Sequence, residues 1–227
     1  MNNISQQSHA SSSHPDTQLP DFDLIETFRY EPCCGFLRLD QHLVRLGHSS
    51  AELGFDFQEK QIREQLKLYE TGEQALRMRL GLTRSGILTI TCTPYQALHA
   101  KAVWKLAIAE TRLDSHDHLL AHKTTRRQVY EAARAEFSPE QADEVLLTNE
   151  VGEICEGTIT SLFVDMGNGY FITPALQCGL LNGVLRQELI DKGIVKIGRI
   201  TRKDLQQAQK LFVGNSLRGI IAAELAG

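Results

Sequence analysis

The sequence has little of what marks secreted, membrane-spanning or nucleic-acid-binding proteins. Charged residues interrupt every hydrophobic run, so that none reaches the length needed to cross a bilayer. A net charge of -4 and a pI of about 6.1 give no sign of a basic surface for nucleic acid. The first residues, MNNISQQSHASSSHPDTQLPDF, are polar and lack the apolar region of a secretion signal. These absences predict a cytoplasmic protein that binds neither membrane nor nucleic acid.

Cysteine is scarce and shows no pairing pattern. The five cysteines form no CxxC motif: Cys33, Cys34, Cys92, Cys155 and Cys178. Cys33 and Cys34 are adjacent, which disfavours an ordinary disulfide between them. We therefore expect free thiols in a reducing compartment. Cysteine as a catalytic nucleophile has no support in the sequence.

Composition predicts a globular protein behind a polar tail. The 227 residues are 42% hydrophobic and 23% charged, which is ordinary for one large domain or two small ones. Residues 1–21 are rich in Ser, His and Gln and predict a disordered tail. Residues 22–112 predict a small α+β domain, 113–122 a polar linker, and 123–227 a larger domain in which strands dominate.

Local patterns place helices and strands in both predicted domains. In the first domain, Asp40 is a candidate N-cap for the helix QHLVRLGHSSAEL, RSG predicts a hairpin, and KAVWKLAIAE predicts the last strand. In the second, we predict a helix over 125–136 and one continuous strand in ICEGTITSLFVDM. NGVLRQELIDKG predicts a helix that ends at Gly193, and TRKDLQQAQ a short helix with Thr201 as N-cap.

Lys123, in LLAHKTTRR, is the first candidate catalytic residue. A lysine amine acts as a nucleophile or forms a Schiff base only when its pKa falls, through burial or cationic neighbours. Arg126 and Arg127 would supply positive potential nearby. A solvated lysine ahead of a helix is the alternative, since lysine is rarely buried.

Glu156 is the second candidate, because it stands among Ile, Cys, Gly and Thr in a segment with the composition of a buried strand. A buried carboxylate needs a partner. One such partner is a protonated heteroaromatic nitrogen, as in a pyridoxal cofactor. An ion-paired or hydrated acid at a strand bend is the alternative.

Two glycine-containing turns predict a phosphate site. Gly183 and Val184 open a helix in CGLLNGVLR, and the first backbone N–H groups of a helix are free to bind an anion. VGNSLRG is a corner of small residues with a hydroxyl at Ser216. Either signal alone is weak, but together they indicate a cradle for phosphate.

These segments resemble the fold-type-four pyridoxal-phosphate enzymes. The motifs HKTTRRQVYEAA, NEVGEICEGTITSLF, FITPALQCGLLNGVLR and LFVGNSLRG share that family's order and spacing, over about residues 22–227. The family holds branched-chain and D-amino-acid aminotransferases and 4-amino-4-deoxychorismate lyase, and the lyase is the nearest in these motifs. The resemblance implies an α/β (α+β) fold with a small N-terminal α+β domain and a larger, β-rich C-terminal domain.

Position by position, the resemblance implies a role for each candidate. Lys123 matches the lysine that forms a Schiff base with pyridoxal 5'-phosphate, and Glu156 matches the acid facing the pyridine nitrogen. Arg45, in HLVRL, matches the arginine that binds the cofactor phosphate. The other matches are the backbone donors Val184 and Leu185, the hydroxyl of Ser216, and Arg29, in ETFRY, at a position where it could bind a substrate carboxylate.

Two positions depart from the family pattern. Ser161 stands where the family often has Asn, and GVLR replaces Gly-Ile-Thr-Arg, which removes a threonine hydroxyl. Some lyase domains that are fused behind aminodeoxychorismate synthase share the second departure.

The implied activity is cleavage of 4-amino-4-deoxychorismate to 4-aminobenzoate and pyruvate, in folate biosynthesis. An aminotransferase for branched-chain or D-amino acids uses the same residues and stays open, as does an inactive interaction module. The resemblance also implies a homodimer, and a functional link to aminodeoxychorismate synthase is possible. His116, His118 and His122 suggest a metal site as a further alternative, but we predict no metal because the stretch has the composition of a linker.

Overall fold

The computed structural model describes residues 22–70 and 73–226, so the predicted tail, residues 1–21, lies outside the described residues. The strands are β1 Leu24–Glu31, β2 Gly35–Phe36, β3 Leu76–Leu82, β4 Leu88–Pro94, β5 Val103–Leu113, β6 Glu144–Asn149, β7 Ile154–Gly157, β8 Ser161–Asp165, β9 Phe171–Pro174, β10 Val195–Gly198, β11 Lys210–Asn215 and β12 Gly219–Leu225. The α-helices are α1 Leu39–Leu53, α2 Glu59–Leu66, α3 Gln128–Ala135, α4 Val184–Asp191 and α5 Arg202–Gln207. This mixed architecture confirms the predicted α/β fold class.

The smaller sheet is antiparallel, with strand order β2-β1-β3-β4. Successive side chains of a strand point to opposite faces. Those of Phe28 and Met78 are buried in one core with apolar residues of α1 and α2, such as Leu46 and Ile62. The intervening positions of β1 and β3 face the other way, and two from each strand line a cavity. Alternate residues of β1 and β3 therefore give the smaller sheet one face that packs in the core and one face that is available to a ligand.

The larger sheet has the order β10-β9-β8-β11-β12-β5-β6-β7 and mixes parallel with antiparallel pairs. We predicted β5 as the last strand of the first domain, with a boundary near residue 112. The structure places β5 in the larger sheet, because it finds parallel partners in β6 and β12. The change of sheet therefore falls between Pro94 and Val103. The division into two domains itself stays a prediction.

Two local predictions are wrong, and both have a structural reason. Asp40 is not the N-cap of α1: the helix begins at Leu39, after Arg38 in a left-handed conformation with φ of 58°. The continuous strand predicted in ICEGTITSLFVDM is two strands, β7 and β8. A turn separates them because Glu144, beneath it, accepts hydrogen bonds from the backbone N–H groups of Thr158 and Ile159.

Other local predictions are confirmed. The helix predicted over 125–136 is α3, and the RSG hairpin joins β3 to β4. Thr201 caps α5 and forms a capping box with Asp204. Gly193, two residues beyond α4, has a φ of 68°, as expected where a helix stops. None of the helices within residues 22–70 and 73–226 is both long and apolar enough to cross a membrane.

Candidate active site at the junction of the two sheets

A cavity of about 530 Å³ lies where the two sheets meet. One side is formed by β1, α1 and β3, and the other by the segment around α3, the β7–β8 turn, the start of α4 and the corner between β11 and β12. Six of the seven predicted site residues line it: Lys123, Glu156, Arg45, Val184, Leu185 and Ser216. The fold thus brings together groups that are distant in sequence.

Lys123 is held by its backbone and leaves its amine free. It follows a short 3-10 helix, His118–Ala121, and its carbonyl oxygen accepts a hydrogen bond of 2.9 Å from the backbone N–H of Ile25 in β1. The side chain is half-buried, and within the described part of the chain its amine makes no hydrogen bond or ion pair. Burial, reinforced by the charge of Arg45, lowers the pKa of Lys123 to about 8.

The histidine before Lys123 fixes this segment against α1. His122 Nδ1 lies 2.9 Å from the hydroxyl of Ser49, and its Nε2 lies 3.2 Å from a carboxylate oxygen of Glu52. His116 contacts Asp114 instead. These two histidines of the DSHDHLLAH stretch therefore have different partners, and His122 has a structural contact with the helix.

Glu156, on β7, is buried and held by two donors. Its Oε1 accepts hydrogen bonds from the hydroxyl of Tyr130, at 2.8 Å, and from the backbone N–H of Leu181, at 3.2 Å. Its second oxygen, Oε2, has no hydrogen-bond partner among the described residues. Burial raises the pKa of Glu156 to about 7, although the two hydrogen bonds and the charge of Lys123 oppose that rise.

An anion cradle is formed by the start of α4 and the corner that holds Ser216. Gly183 precedes the helix and has no side chain to cap it, so the first backbone N–H groups of α4 are left without an intrahelical acceptor. A Cβ atom at Gly183 would lie 2.7 Å from the hydroxyl of Ser161, which explains why glycine stands there. The helix dipole adds positive potential at this end.

A buried network, which no local sequence pattern predicts, connects this cradle to β1 and α1. The carboxylate of Glu26 accepts hydrogen bonds of 2.8 and 2.5 Å from Arg45 and lies 2.6 Å from His42 Nδ1. His42 Nε2 lies 2.7 Å from the hydroxyl of Ser216. The third nitrogen of the Arg45 guanidinium donates to the carbonyl of Asn182. Arg45 and Ser216 are therefore positioned by one shared carboxylate.

Glu26 is ionised within this network. Burial alone would raise its pKa, but the charges of Arg45 and His42 and their hydrogen bonds outweigh burial and lower the pKa of Glu26 to about 2. Burial lowers the pKa of His42, although Glu26 opposes that shift. The signal in the sequence was an acid within the strand LIETFRY, the same kind of signal that identified Glu156.

Arg29 is the one predicted site residue that does not line the described cavity. Its guanidinium forms an ion pair of 3.0 Å with Glu31 and lies over the ring of Tyr95, 4.8 Å from its centre. Two other arginines, Arg77 and Arg79 on the neighbouring strand β3, line the cavity instead. The proposed contact between Arg29 and substrate stays a prediction.

Comparison with known proteins gives one family and two kinds of relative. The family model described as amino-transferase class IV matches residues 23–225. The crystal structure of a protein from Mesorhizobium loti, provisionally named an amino-acid aminotransferase, superposes with a TM-score of 0.88. That protein is 53% identical, over 90% of this chain and 100% of that one.

Two curated relatives are named as aminodeoxychorismate lyases. The aminodeoxychorismate lyase of Bacillus subtilis is 29% identical over 231 residues, which are 87% of this chain and 75% of that protein. A Schizosaccharomyces pombe protein, provisionally named aminodeoxychorismate lyase, is 28% identical over 209 residues, 89% of each chain. Relatives with both names are therefore similar to this chain along most of its length.

Proposed function

Because this chain belongs to the amino-transferase class IV family, an enzyme family, we propose that it is a pyridoxal-phosphate-dependent lyase that cleaves 4-amino-4-deoxychorismate to 4-aminobenzoate and pyruvate. The observation that carries the assignment to pyridoxal-phosphate chemistry is that one cavity holds both an unpaired lysine amine and a buried carboxylate with one free oxygen. The pKa values of both groups are shifted, and groups with shifted pKa values are concentrated at the active sites of enzymes.

The residues present fit pyridoxal 5'-phosphate. The start of α4, the hydroxyl of Ser216 and the guanidinium of Arg45 would hold its phosphate, with Val184 and Leu185 contributing backbone N–H groups. The free Oε2 of Glu156 would face its ring nitrogen, and the unpaired amine of Lys123 would bond to it covalently. When bound, the cofactor supplies an electron-accepting ring.

Each catalytic side chain has one task in this proposal. Glu156 holds a proton at the pyridine nitrogen of the cofactor, which favours the flow of electrons towards the pyridine ring. Lys123 takes the proton from the ring carbon that carries the substrate amine. The C–O bond to the enolpyruvyl group then breaks, the enolate that leaves takes up a proton on carbon to become pyruvate, and the remaining ring of the substrate becomes aromatic. A lysine pKa of about 8 suits a base that works near neutral pH.

An aminotransferase is the second candidate, favoured by the 53% identity to the Mesorhizobium loti protein. In that reaction Lys123 would move a proton between the substrate carbon and the cofactor, and a second, keto-acid substrate would be needed. The same side chains serve both reactions, so the lyase proposal relies on the curated relatives and on the motifs shared with lyase domains.

One assay separates these candidates. The cofactor-loaded protein is given 4-amino-4-deoxychorismate with and without 2-oxoglutarate, and 4-aminobenzoate, pyruvate and glutamate are measured. We expect equal amounts of 4-aminobenzoate and pyruvate without 2-oxoglutarate, and a loss on the order of 10³-fold in Lys123→Ala, because a proton-transferring group is removed. Glutamate formed from an amino acid and 2-oxoglutarate, without 4-aminobenzoate, would establish the second candidate.

Borohydride reduction tests the assignment of Lys123 independently of turnover. Reduction of the yellow, cofactor-loaded protein should make the bond to the cofactor permanent, and peptide mass spectrometry should find the adduct on Lys123. An adduct on another lysine, or no adduct, would contradict this assignment.

A further inference from the structure

Four arginines from separate parts of the chain meet at the cavity. Arg77 and Arg79 lie two positions apart on β3 and therefore share one face of the smaller sheet. Arg127 precedes α3, and Arg218 lies in the corner between β11 and β12. All four line the cavity, in a protein whose net charge is -4. Positive charge is thus concentrated at the cavity although the protein as a whole is negatively charged.

These four arginines lack acidic partners. Within residues 22–70 and 73–226, Arg77 and Arg79 make no hydrogen bond or ion pair. Arg127 donates to the carbonyl of Thr158 and lies over the ring of Tyr130, whereas Arg218 lies over the ring of Trp104. Two other arginines of the lining do have acidic partners: Arg126 pairs with Asp117 at 2.8 Å, and Arg45 with Glu26 at 2.5 Å. Arg112, also in the lining, donates to a backbone carbonyl.

The four charges act on one another. Burial lowers the pKa of Arg79, and the charges of Arg77 and Arg127 lower it further. Burial likewise lowers the pKa of Arg218, with Arg77 adding to the effect. The carboxylates that oppose these shifts are those of Asp23 and Glu144, and neither forms an ion pair with the cluster. Such repulsion is relieved when an anion binds.

We propose that Arg77, Arg79, Arg127 and Arg218 form a specificity site for a substrate with two carboxylate groups. A guanidinium binds a carboxylate through two parallel N–H donors, and one carboxylate saturates one such fork. The single carboxylate of a branched-chain amino acid would leave most of this cluster uncompensated. The inference rests on the proposed function and deepens it, because it names the side chains that select the lyase substrate over a monocarboxylate amino acid.

A binding experiment tests this specificity without turnover. The protein is loaded with pyridoxal phosphate, so that the phosphate cradle is filled, and is titrated calorimetrically with 3-(carboxymethoxy)benzoate. Benzoate and phenoxyacetate each carry one of its two carboxylates and serve as matched ligands. We expect the dianion to bind about ten- to a hundredfold more tightly than either monoanion, the range for one added charge-assisted contact. This advantage should shrink as salt is raised.

The variants Arg77→Gln and Arg79→Gln should each lower the affinity for the dianion about tenfold, and should lower it more than they lower the affinity for benzoate, which needs only one of the four guanidinium groups. Arg199→Gln is the matched control, because its side chain is 81% exposed and lies outside the described cavity lining. In the lyase assay the same two variants should raise KM for 4-amino-4-deoxychorismate more than they lower kcat, since they remove binding that is equal in ground and transition states.

The outcomes separate the two proposals. Equal binding of dianion and monoanions, or an advantage that survives both β3 variants, would overturn the specificity site even if 4-aminobenzoate is formed. An arginine-dependent preference for the dianion, in a protein that produces no 4-aminobenzoate, would support the site and overturn the lyase function.

Discussion

At Lys123 and Glu156 burial moves two pKa values in opposite directions, and both move towards neutrality. The amine falls to about 8 and the carboxyl rises to about 7. In each case the cost of burying a charge is the first cause of the shift. Both side chains border the same cavity. At neutral pH each group is therefore close to the point where it can gain or release a proton.

Replacing Glu156 and replacing Arg45 should have separable consequences. Glu156→Gln removes the charge but keeps the shape, so cofactor should still bind while turnover falls on the order of 10²-fold or more, as for the loss of a preorganised electrostatic contact. Arg45→Ala should weaken cofactor affinity, because it removes a contact with the phosphate. The phosphate keeps its charge during the reaction, so this contact is equally strong in the ground state and the transition state and does not change the rate of the chemical step. Activity at saturating pyridoxal phosphate measures both.

At saturating cofactor the Arg45 variant should be largely rescued and the Glu156 variant should not. The opposite pattern would mean that the two roles have been assigned the wrong way round.

The stability of the cofactor-free protein should depend on pH through Glu156. Its pKa is raised from 4.5 to about 7, so it stabilises the folded state fully below about pH 4.5, and this contribution is lost as the pH rises through 7. Between those values the free energy of unfolding should fall by about 3 kcal/mol more in the wild type than in Glu156→Gln. Urea unfolding at pH 5, 6 and 7 measures this difference. Parallel curves for the two proteins would contradict the raised pKa.

Candidate residues could be selected from the sequence where residue type and local spacing point to a chemistry. Lys123 and Glu156 were singled out that way, and both line the cavity. Glu26 was not singled out, since its importance comes from contacts with α1 that no local pattern shows. Arg29 and Arg77 are aligned on paired strands and therefore share one face of the sheet. Only the contacts that the structure shows, such as the ion pair of Arg29 with Glu31, distinguish the two side chains.

At the scale of elements, the opening of α4 depends on the absence of a side chain before it. Gly183→Ala should push the helix start away from β8, because the added Cβ would lie 2.7 Å from the hydroxyl of Ser161. We expect a weaker affinity for pyridoxal phosphate, measured by absorbance titration. Gly81→Ala in β3 is the control, since its Cβ would meet Thr89 at an ordinary 3.9 Å. Equal affinities in both variants would argue against a phosphate at this helix.

Elements with their own start and stop signals were predicted well, and those defined by distant partners were not. Thr201 and Asp204 determine α5 locally through the capping box. In contrast, the break between β7 and β8 depends on Glu144, whose carboxylate binds the turn from below. The sequence of β5 predicts a strand but does not show to which sheet it belongs. Its pairing with β6 and β12 places it in the larger sheet.

At the scale of the whole molecule, side chains at α1, which packs on the smaller sheet, contact residues in and before α4 and in the corner between β11 and β12. Arg38 pairs with Glu188 of α4, His42 contacts Ser216, and Arg45 donates to Asn182. A phosphate held at Ser216 and Arg45 would contact both sides at once. Cofactor and folding are therefore expected to support each other thermodynamically.

We also propose that the protein is a homodimer, because the resemblance places the cofactor pocket near a subunit interface. Light scattering at micromolar concentration should give twice the chain mass of 25.4 kDa. Dilution should then lower specific activity as subunits separate. A monomer with full activity under the same conditions would contradict this proposal.

The position of β12 has a consequence for how the chain acquires its structure over time. β12 follows all the other described strands in the chain, yet it lies inside the larger sheet, between β11 and β5, where Val103 is aligned with Ala222. One edge of β5 can pair with β6, but the other edge must wait for β12, which is synthesised much later. Such non-local parallel pairing is slow to form. Pulse-labelled hydrogen exchange during refolding should show the amides between β5 and β12 becoming protected together and late. Protection of the β3–β4 hairpin should come first, since its two strands are neighbours in sequence.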